Sequence, residues 1–257
     1  MFIPATTPQS PLNILKQAMQ LYFSNFNALL PVIVALMLVS YLPNLLIPEL
    51  NSNKIEVLQQ GMQSFFMYMP VYLLAIVILH AVIIGRLQAL SEQAHDETIN
   101  TAAHHALRKA LPLFVATLLY SFFISVGFML MVLPGIFVAV TLAFYIPCIF
   151  FEKQTGIKSL TMSHRLVSGH WWHTAATLLI ALLFFLSLSS LTGQMLVSVL
   201  TFIGMDVSPL TAQFIYIICT SFINPVFHAV VLLQYRDLKI RHGHDITNSL
   251  RSNTFVA

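Results

Sequence analysis

Long apolar stretches separated by short polar segments make up most of this chain. Six of them reach the length of about 20 residues that a helix needs to cross a bilayer. They run near Ala28–Ile47, Ser64–Gly85, Leu111–Val132, Pro134–Phe151, Ala175–Met195 and Leu210–Gln234. The third and fourth are separated only by Leu133-Pro134-Gly135. Because Pro and Gly both interrupt helices, this join predicts a tight helical hairpin.

Three of the polar segments are amphipathic. They are Ser10–Asn27, Thr98–Ala110 and Gly156–Val167, and in each the apolar residues recur at spacings typical of one helix face. We expect these segments to lie as helices in the membrane interface. Each stands directly before a pair of apolar stretches. The chain therefore repeats one unit three times, either as a true duplication or only as a shape.

The pattern predicts an all-α polytopic membrane protein with six transmembrane helices and about three interfacial helices. We expect a single integral membrane domain over residues 1–257. Its parts are the N-terminal amphipathic helix (1–27), the first four spans (28–151), an interfacial helix (152–174), the last two spans (175–234) and a tail (235–257). Prolines in Tyr145-Ile146-Pro147 and Asn224-Pro225 predict kinks, which free backbone carbonyls that a neighbouring helix must satisfy.

The composition supports this fold class. Hydrophobic residues make up 58% of the chain and charged residues 8%, whereas an average soluble domain is about half apolar and about a quarter charged. These values exclude an ordinary soluble enzyme, a disordered chain and a nucleic-acid-binding domain. The first 13 residues have neither the basic nor the apolar region of a signal peptide. We therefore expect the first internal span to direct insertion.

The basic residues are sorted to one side of the predicted bundle. When the N-terminus is placed in the cytoplasm, eleven of the twelve Lys and Arg residues fall on that side and only Lys54 falls on the other. This bias predicts that both termini are cytoplasmic. No Asp or Glu lies within any predicted span, which argues against ion-coupled transport because such transporters commonly use an intramembrane carboxylate.

Two stretches of the chain resemble a known family. They are Val132–Ile136, continuing to Glu152, and Ser159–Trp172. Together they are similar to the YciC family of uncharacterised bacterial inner-membrane proteins, and to the membrane domain attached to some glycerophosphodiester phosphodiesterases. Tyr235-Arg236-Asp237-Leu238-Lys239 looks like the Tyr-x-Asp-Leu-Arg ending of that wider group, with Lys in place of the final Arg.

The resemblance implies a multi-pass protein of the bacterial inner membrane whose biochemical role is unknown. In the related two-part proteins the phosphodiesterase activity belongs to a separate soluble barrel. We expect no such barrel here, since about 20 residues follow the last predicted span. The resemblance therefore implies no catalytic activity for this chain.

A basic rim is the first candidate site. Basic residues and tryptophans at the cytoplasmic ends of the spans suit contacts with anionic lipid head groups. The candidates are Arg108, Lys109, Lys158, Arg165, Trp171, Trp172, Arg236, Lys239 and Arg241. The other interpretation is that these residues only set the topology and anchor the protein.

An intramembrane polar site is the second candidate. His80 in the second span and His228 in the sixth lie at similar depth, and Asn224 stands one turn before His228. They form either one shared polar site or two separate interhelical hydrogen bonds. Ser189 and Gly193 of the fifth span share a face that suits close packing or, alternatively, a substrate groove.

No residue pattern indicates a reaction. The chain has no rhomboid-like Ser/His or His-Glu-x-x-His pattern, and its histidines and two cysteines complete no metal site, so we expect no metal and no cofactor. The sequence favours a non-enzymatic protein of membrane organisation or anionic-lipid handling, with membrane lipids and not nucleic acid as partners. One alternative is a transporter of a small amphiphile with a polar site between spans two and six. Another is an assembly partner of a second membrane complex.

Overall fold

The structure, a computed structural model, describes residues 5–47, 54–92, 98–152 and 155–254, with side chains as far as Gly243. The ends of the predicted N-terminal segment (1–4) and of the predicted tail (255–257) lie outside the described residues. The described helices are α1 (Pro11–Ser24), α2 (Phe26–Leu46), α3 (Ile55–Ser91), α4 (Ile99–Arg108), α5 (Ala110–Leu130), α6 (Val132–Thr141), α7 (Tyr145–Phe151), α8 (Ile157–Val167), α9 (Trp171–Phe202) and α10 (Pro209–Thr254).

The all-α polytopic architecture is confirmed. Six helices are long and apolar enough to cross a membrane, namely α2, α3, α5, the pair α6–α7, α9 and α10. The helix that ends the chain is longer than expected. It continues without interruption from the sixth span to Thr254, so the part of the predicted tail up to Thr254 extends that helix. Asp237, which we placed outside the spans, lies in this continuous helix and is only 3% exposed.

The unit of a short amphipathic helix followed by a hairpin occurs three times. Asn25, Lys109 and His170 join the short helix to the hairpin, with φ and ψ of −124° and 23°, −102° and 12°, and −123° and 26°. Each of these residues donates its backbone N–H to the carbonyl three residues earlier, at 3.1, 3.1 and 3.0 Å. The three junctions therefore have the same backbone geometry.

Burial follows the same register in the three units. The positions seven and three residues before the junction, and four and seven after it, are at most 4% exposed in every copy. They are Ala18, Tyr22, Leu29 and Val32; Ala102, Ala106, Leu113 and Ala116; and Ser163, Val167, Thr174 and Thr177. This spacing places one face of each short helix and of the following span against the bundle. The three units therefore repeat the same arrangement of a short helix and the span that follows it.

The hairpin between the third and fourth spans differs in detail from the prediction. Its turn is the single extended residue Met131, and Leu133-Pro134-Gly135 lies inside the first turn of α6. Pro is tolerated there because the first N–H groups of a helix have no intrahelical partner. Past the turn the two helices touch at glycines, since a Cβ on Gly127 would lie 2.9 Å from the Cα of Gly135.

The fourth span is interrupted between α6 and α7, as the proline at Pro147 predicts. The freed backbone groups are satisfied by α8. The Ser163 hydroxyl donates to the Thr141 carbonyl at 2.8 Å and accepts the N–H of Phe144 at 3.1 Å. At the other predicted kink, α10 remains helical through Pro225, so this proline does not end the helix.

The largest fully buried side chains lie near one end of the bundle. They include Ile14 of α1, Leu87 of α3, Ile149 of α7 and Leu238 of α10. This end also carries α1, α4 and α8, and we call it the basic end; the opposite end is the far end. Toward the far end large apolar side chains are exposed along the spans, as lipid contact requires.

We expect Ser163→Ala to lower the free energy of unfolding by about 1–3 kcal/mol, because it leaves a buried N–H and a buried carbonyl without their partner. Unfolding of the purified protein by a denaturing detergent measures the change. Thr161→Ala is the matched control, since that hydroxyl is on the exposed face of α8 and donates to the Ile157 carbonyl of its own helix. Equal losses for the two variants would contradict the bridging role.

Candidate functional site

A cleft of about 310 Å³ lies between α2, α3 and α10, in the half of the bundle toward the far end. Eight of its eleven lining residues are polar, and none is Asp, Glu, Lys or Arg. The lining residues are Leu36, Ser40, Tyr72, Ile76, His80, Gln213, Tyr216, Ile217, Thr220, Ser221 and Asn224. An uncharged cavity of this size within membrane-spanning helices, with polar groups set in a mostly apolar surface, suits a ligand that hydrogen-bonds without a full charge.

A pair of histidines lies at the floor of the cleft, with His80 in the lining and His228 behind it. The rings of His80 and His228 lie 4.4 Å apart between centroids, at an interplanar angle of 39°. His80 lines the cleft, whereas His228 is 7% exposed and lies behind it. The structure thus places the two candidate histidines in one site. Asn224 belongs to the same site, because its backbone carbonyl oxygen lies 3.1 Å from Nδ1 of His228.

Asn224 presents hydrogen-bonding capacity that the protein does not use. Its side-chain Oδ1 is buried and has no hydrogen-bond partner among the described residues. The next residue, Pro225, has no N–H, so the carbonyl of Ser221 lacks its regular helical donor. Ser221 and Asn224 both line the cleft. The floor therefore holds polar groups that a ligand can satisfy.

The wall of the cleft depends on close packing with α9. A Cβ on Gly193 would lie 2.5 Å from the ring of Tyr216, so glycine is needed for that ring to lie against α9. Of the two interpretations of the face that carries Gly193, close packing and a substrate groove, this contact favours close packing of α9 against α10. Near the same wall the rings of Tyr41 and Phe214 meet at 4.9 Å and hold α2 against α10.

Among the described residues, three ion pairs that join a Lys or Arg to a carboxylate lie at the basic end, and we call them the ionic ring. Arg236 pairs with Glu92 at 2.6 Å, Lys239 with Glu152 at 2.7 Å, and Arg241 with Asp237 at 2.6 Å. All three cations belong to α10. Glu92 and Glu152 follow the last residues of α3 and α7 with nearly the same backbone angles, φ −95° and ψ 2°, and φ −91° and ψ 1°. The ring therefore ties two other hairpins to α10.

The third pair of the ring also holds the segment before α1. Asp237 accepts the backbone N–H of Gln9 at 2.6 Å, and Arg241 donates to the Gln9 carbonyl at 2.7 Å. Nε2 of His173 on α9 lies 2.9 Å from the same carbonyl. The four-residue spacing of Asp237 and Arg241 is a signal for their pairing, but nothing in the sequence around Gln9 indicates this contact.

A family model with the description "Domain of unknown function (DUF7847)" matches residues 63–238. The chain belongs to the DUF7847 family. The match begins within α3 and ends within α10, so it includes all the residues of the ionic ring except Lys239 and Arg241. No curated protein and no solved structure matches the chain.

The DUF7847 match supports an uncharacterised family and leaves the resemblance to YciC proteins a prediction. It covers both His80 and His228, together with Asn224. It leaves out α1, α2 and the first part of α3. The matched part of this DUF7847 protein therefore contains the floor of the cleft but not the wall that α2 forms.

The nine residues of the candidate basic rim differ in their contacts and exposure in this DUF7847 protein. Arg236, Lys239 and Arg241 belong to the ionic ring. Lys109 donates to the carbonyls of Ile149 at 3.0 Å and Phe150 at 2.7 Å, at the end of α7. Trp171 is half-buried. The remaining candidates have exposed side chains; they are Arg108, Lys158, Arg165 and Trp172.

Hydrogen bonds from Lys239 and Tyr235 lower the pKa of Glu152 below its ordinary value of 4.5. A carboxyl whose pKa is depressed by folding stabilises the fold above its ordinary pKa and loses this contribution as the pH falls through the folded-state pKa. We expect the Tm of the wild type to exceed that of Glu152→Gln near neutral pH, with a difference that narrows below about pH 4.5.

Thermal unfolding of the wild type and Glu152→Gln, followed by circular dichroism from neutral pH to below about pH 4.5, tests the prediction. Glu56→Gln, which changes an exposed carboxylate in the first turn of α3, is the control and is expected to leave Tm unchanged near neutral pH. A difference for Glu152→Gln that does not depend on pH would contradict an electrostatic role.

Proposed function

We propose that the protein is a membrane carrier that binds a small amphiphile in the cleft between α2, α3 and α10. One observation carries this proposal: the cleft ends in the His80–His228 pair, beside an Asn224 Oδ1 without a protein partner. A buried acceptor without a partner costs free energy, which a hydrogen-bonding ligand recovers. The carrier was the alternative interpretation of the sequence, and the cleft now favours it.

The lining supports an amphiphile as the ligand class. Tyr72, Tyr216 and Ile217 offer apolar surface, and the hydroxyl and amide groups of the other walls offer donors and acceptors. The cavity has the size of a small-molecule site, about 300–1,000 Å³. Because no full charge lines the cleft, the polar part of the ligand in this proposal is uncharged.

The closed basic end supports transport rather than binding alone. Beyond the histidine pair, α3 and α10 are packed through fully buried side chains such as Ile84, Leu87 and Leu232. The ionic ring then joins α10 to α3 and α7. A site that is sealed toward one end of the bundle is what one state of a carrier with alternating access requires. In the other state α10 would separate from Glu92 and Glu152.

The proposed setting is the bacterial inner membrane, with the basic end and both termini in the cytoplasm. The positive-inside bias of the sequence supports this orientation. In this orientation the cleft faces away from the cytoplasm. The proposed role is non-enzymatic, and nothing in the described residues favours an assembly partner over a carrier.

Anionic-lipid handling is the second candidate function. The observation that favours it is the exposure of Arg108, Lys158, Arg165 and Trp172 at the basic end. Four other cations of the predicted rim bind carboxylates or carbonyls of the protein, namely Lys109, Arg236, Lys239 and Arg241. The surface available to lipid head groups is therefore smaller than the sequence indicated.

Flux assays on purified protein in proteoliposomes test the carrier. A panel of short-chain alcohols and amides is first screened for thermal stabilisation, and the best binder serves as the transported probe. We expect Asn224→Ala and His80→Ala to reduce flux about fivefold each, the effect of one lost hydrogen bond of about 1 kcal/mol. His104→Ala, an exposed histidine of α4, is the control. Unchanged flux in His80→Ala would argue against the carrier.

Cysteine labelling tests the direction in which the cleft opens. In a variant without Cys148 and Cys219, both of which are buried, Thr220→Cys should react with a membrane-impermeant maleimide added outside intact cells. Thr117 of α5 is only 5% exposed, so Thr117→Cys is the buried control and should remain unlabelled. Labelling of Thr220→Cys only after the cells are opened would contradict the proposed orientation.

A further inference from the structure

We propose that α8 and the groove beside it hold one anionic phospholipid of the surrounding bilayer. The phosphate lies at Lys158 and Arg165, and an acyl chain lies in the groove that Phe123 of α5 and Phe137 of α6 help to form. This site is separate from the cleft and does not depend on the proposed carrier. It rests on the second candidate function, anionic-lipid handling, and names one site that would carry it.

The orientation of α8 is fixed by its buried face. Leu160, Ser163, Leu166 and Val167 are at most 5% exposed and pack into the bundle. Ser163 also hydrogen-bonds to both sides of the break between α6 and α7. Because these contacts hold the helix on one side, its opposite face is presented to the membrane interface.

The exposed face of α8 is basic. Lys158, Thr161, His164 and Arg165 are all exposed, and the helix contains no Asp or Glu. Neither Lys158 nor Arg165 forms an ion pair with any carboxylate in the part of the chain that the structure describes. In contrast to the cations of α10, these two charges are therefore available to an external anion. Two helical turns separate them, about 10 Å along the axis.

An apolar groove begins at this basic face. Its volume is about 330 Å³, and apolar side chains form most of its lining. Thr161 and His164 belong both to the groove and to the exposed face of α8. The remaining lining residues are Phe123, Phe137, Val138, Thr141, Leu142, Ile157 and Leu160. A mostly apolar groove excludes water, and in a bilayer the acyl chain of a lipid is the available occupant.

Both tryptophans of the chain stand beside the groove. Trp171 stacks on Phe137 with ring centroids 5.6 Å apart, and Trp172, which is 82% exposed, contacts Trp171 at 4.8 Å. Tryptophan favours the level of the lipid head groups. The groove thus combines an apolar channel, an aromatic edge and two unpaired cations, which is the chemistry of a phospholipid with a negative head group.

Fluorescence quenching tests the site, because Trp171 and Trp172 are the only tryptophans of the chain. The full chain is reconstituted in vesicles that contain a small fraction of phospholipid with a quenching spin label on its acyl chain. The labelled lipid carries either the anionic phosphatidylglycerol or the zwitterionic phosphatidylcholine head group. We expect the anionic lipid to quench at several-fold lower concentration than the zwitterionic lipid.

Charge-neutralising variants then assign the preference to α8. Lys158→Gln and Arg165→Gln should each weaken apparent binding of the anionic lipid about fivefold, with little change for the zwitterionic lipid. Lys16→Gln removes a charge that is also exposed, on α1, and should change the apparent binding of neither the anionic nor the zwitterionic lipid. These surface changes leave the buried face of α8 intact.

Three results would overturn the proposal. Equal quenching by the two lipids would show ordinary lipid contact without a site. Equal losses in Lys16→Gln and Lys158→Gln would show a general effect of surface charge. Protection of the tryptophans from both lipids would show that another occupant, such as a second copy of the chain, covers the groove.

Discussion

The absence of water inside a bilayer is the constraint on which this structure depends. Each backbone and side-chain polar group in the spans must find its partner within the protein. The fourth span shows the rule at its strictest, since its break is bridged by a single hydroxyl, that of Ser163 on α8. The rule is relaxed at a few buried atoms, among them Oδ1 of Asn224, Oγ of Ser189 and Oε1 of Gln234, which have no hydrogen-bond partner among the described residues. Of these three residues only Asn224 lines the cleft, so that open volume lies beside it, and this is why the cleft and not the packed end is the candidate binding site.

The last described helix connects the two features that the proposed carrier requires. Toward the far end α10 contributes Asn224 to the cleft and His228 to the layer behind it, and at the basic end it contributes all three cations of the ionic ring. The partners of these cations differ in position along the chain. Glu92 and Glu152 end the hairpins of the first two units, whereas Asp237 lies in α10 itself. A movement of α10 that opens the basic end would therefore break contacts with two hairpins, and the same movement would alter the floor of the cleft.

The sequence was sufficient for the features that depend on neighbouring residues. Hydrophobic length predicts the six spans, three-and-four spacing predicts α1, α4 and α8, and Pro147 predicts the interruption of the fourth span. The sequence was misleading where a residue suits two kinds of local structure. Pro134 suits a turn or the first turn of a helix, and the structure uses the second because the close contact of Gly127 and Gly135 lets the helices begin to pack at once. Pro225 lies inside a continuous helix and does not end it, and the carbonyl that it frees at Ser221 borders the cleft.

By itself the sequence determined that this chain is an all-α membrane protein with its basic residues sorted to one end, because hydrophobicity and charge act on each segment separately. Only the tertiary structure decided which polar groups meet. Arg236 and Glu92 are 144 residues apart, and Gln9 and Asp237 are 228 apart. The similar depth of His80 and His228 follows from counting residues, but their contact depends on the rotation of α3 and α10 about their axes. That rotation is set by the packing of many apolar side chains, and no local pattern records it.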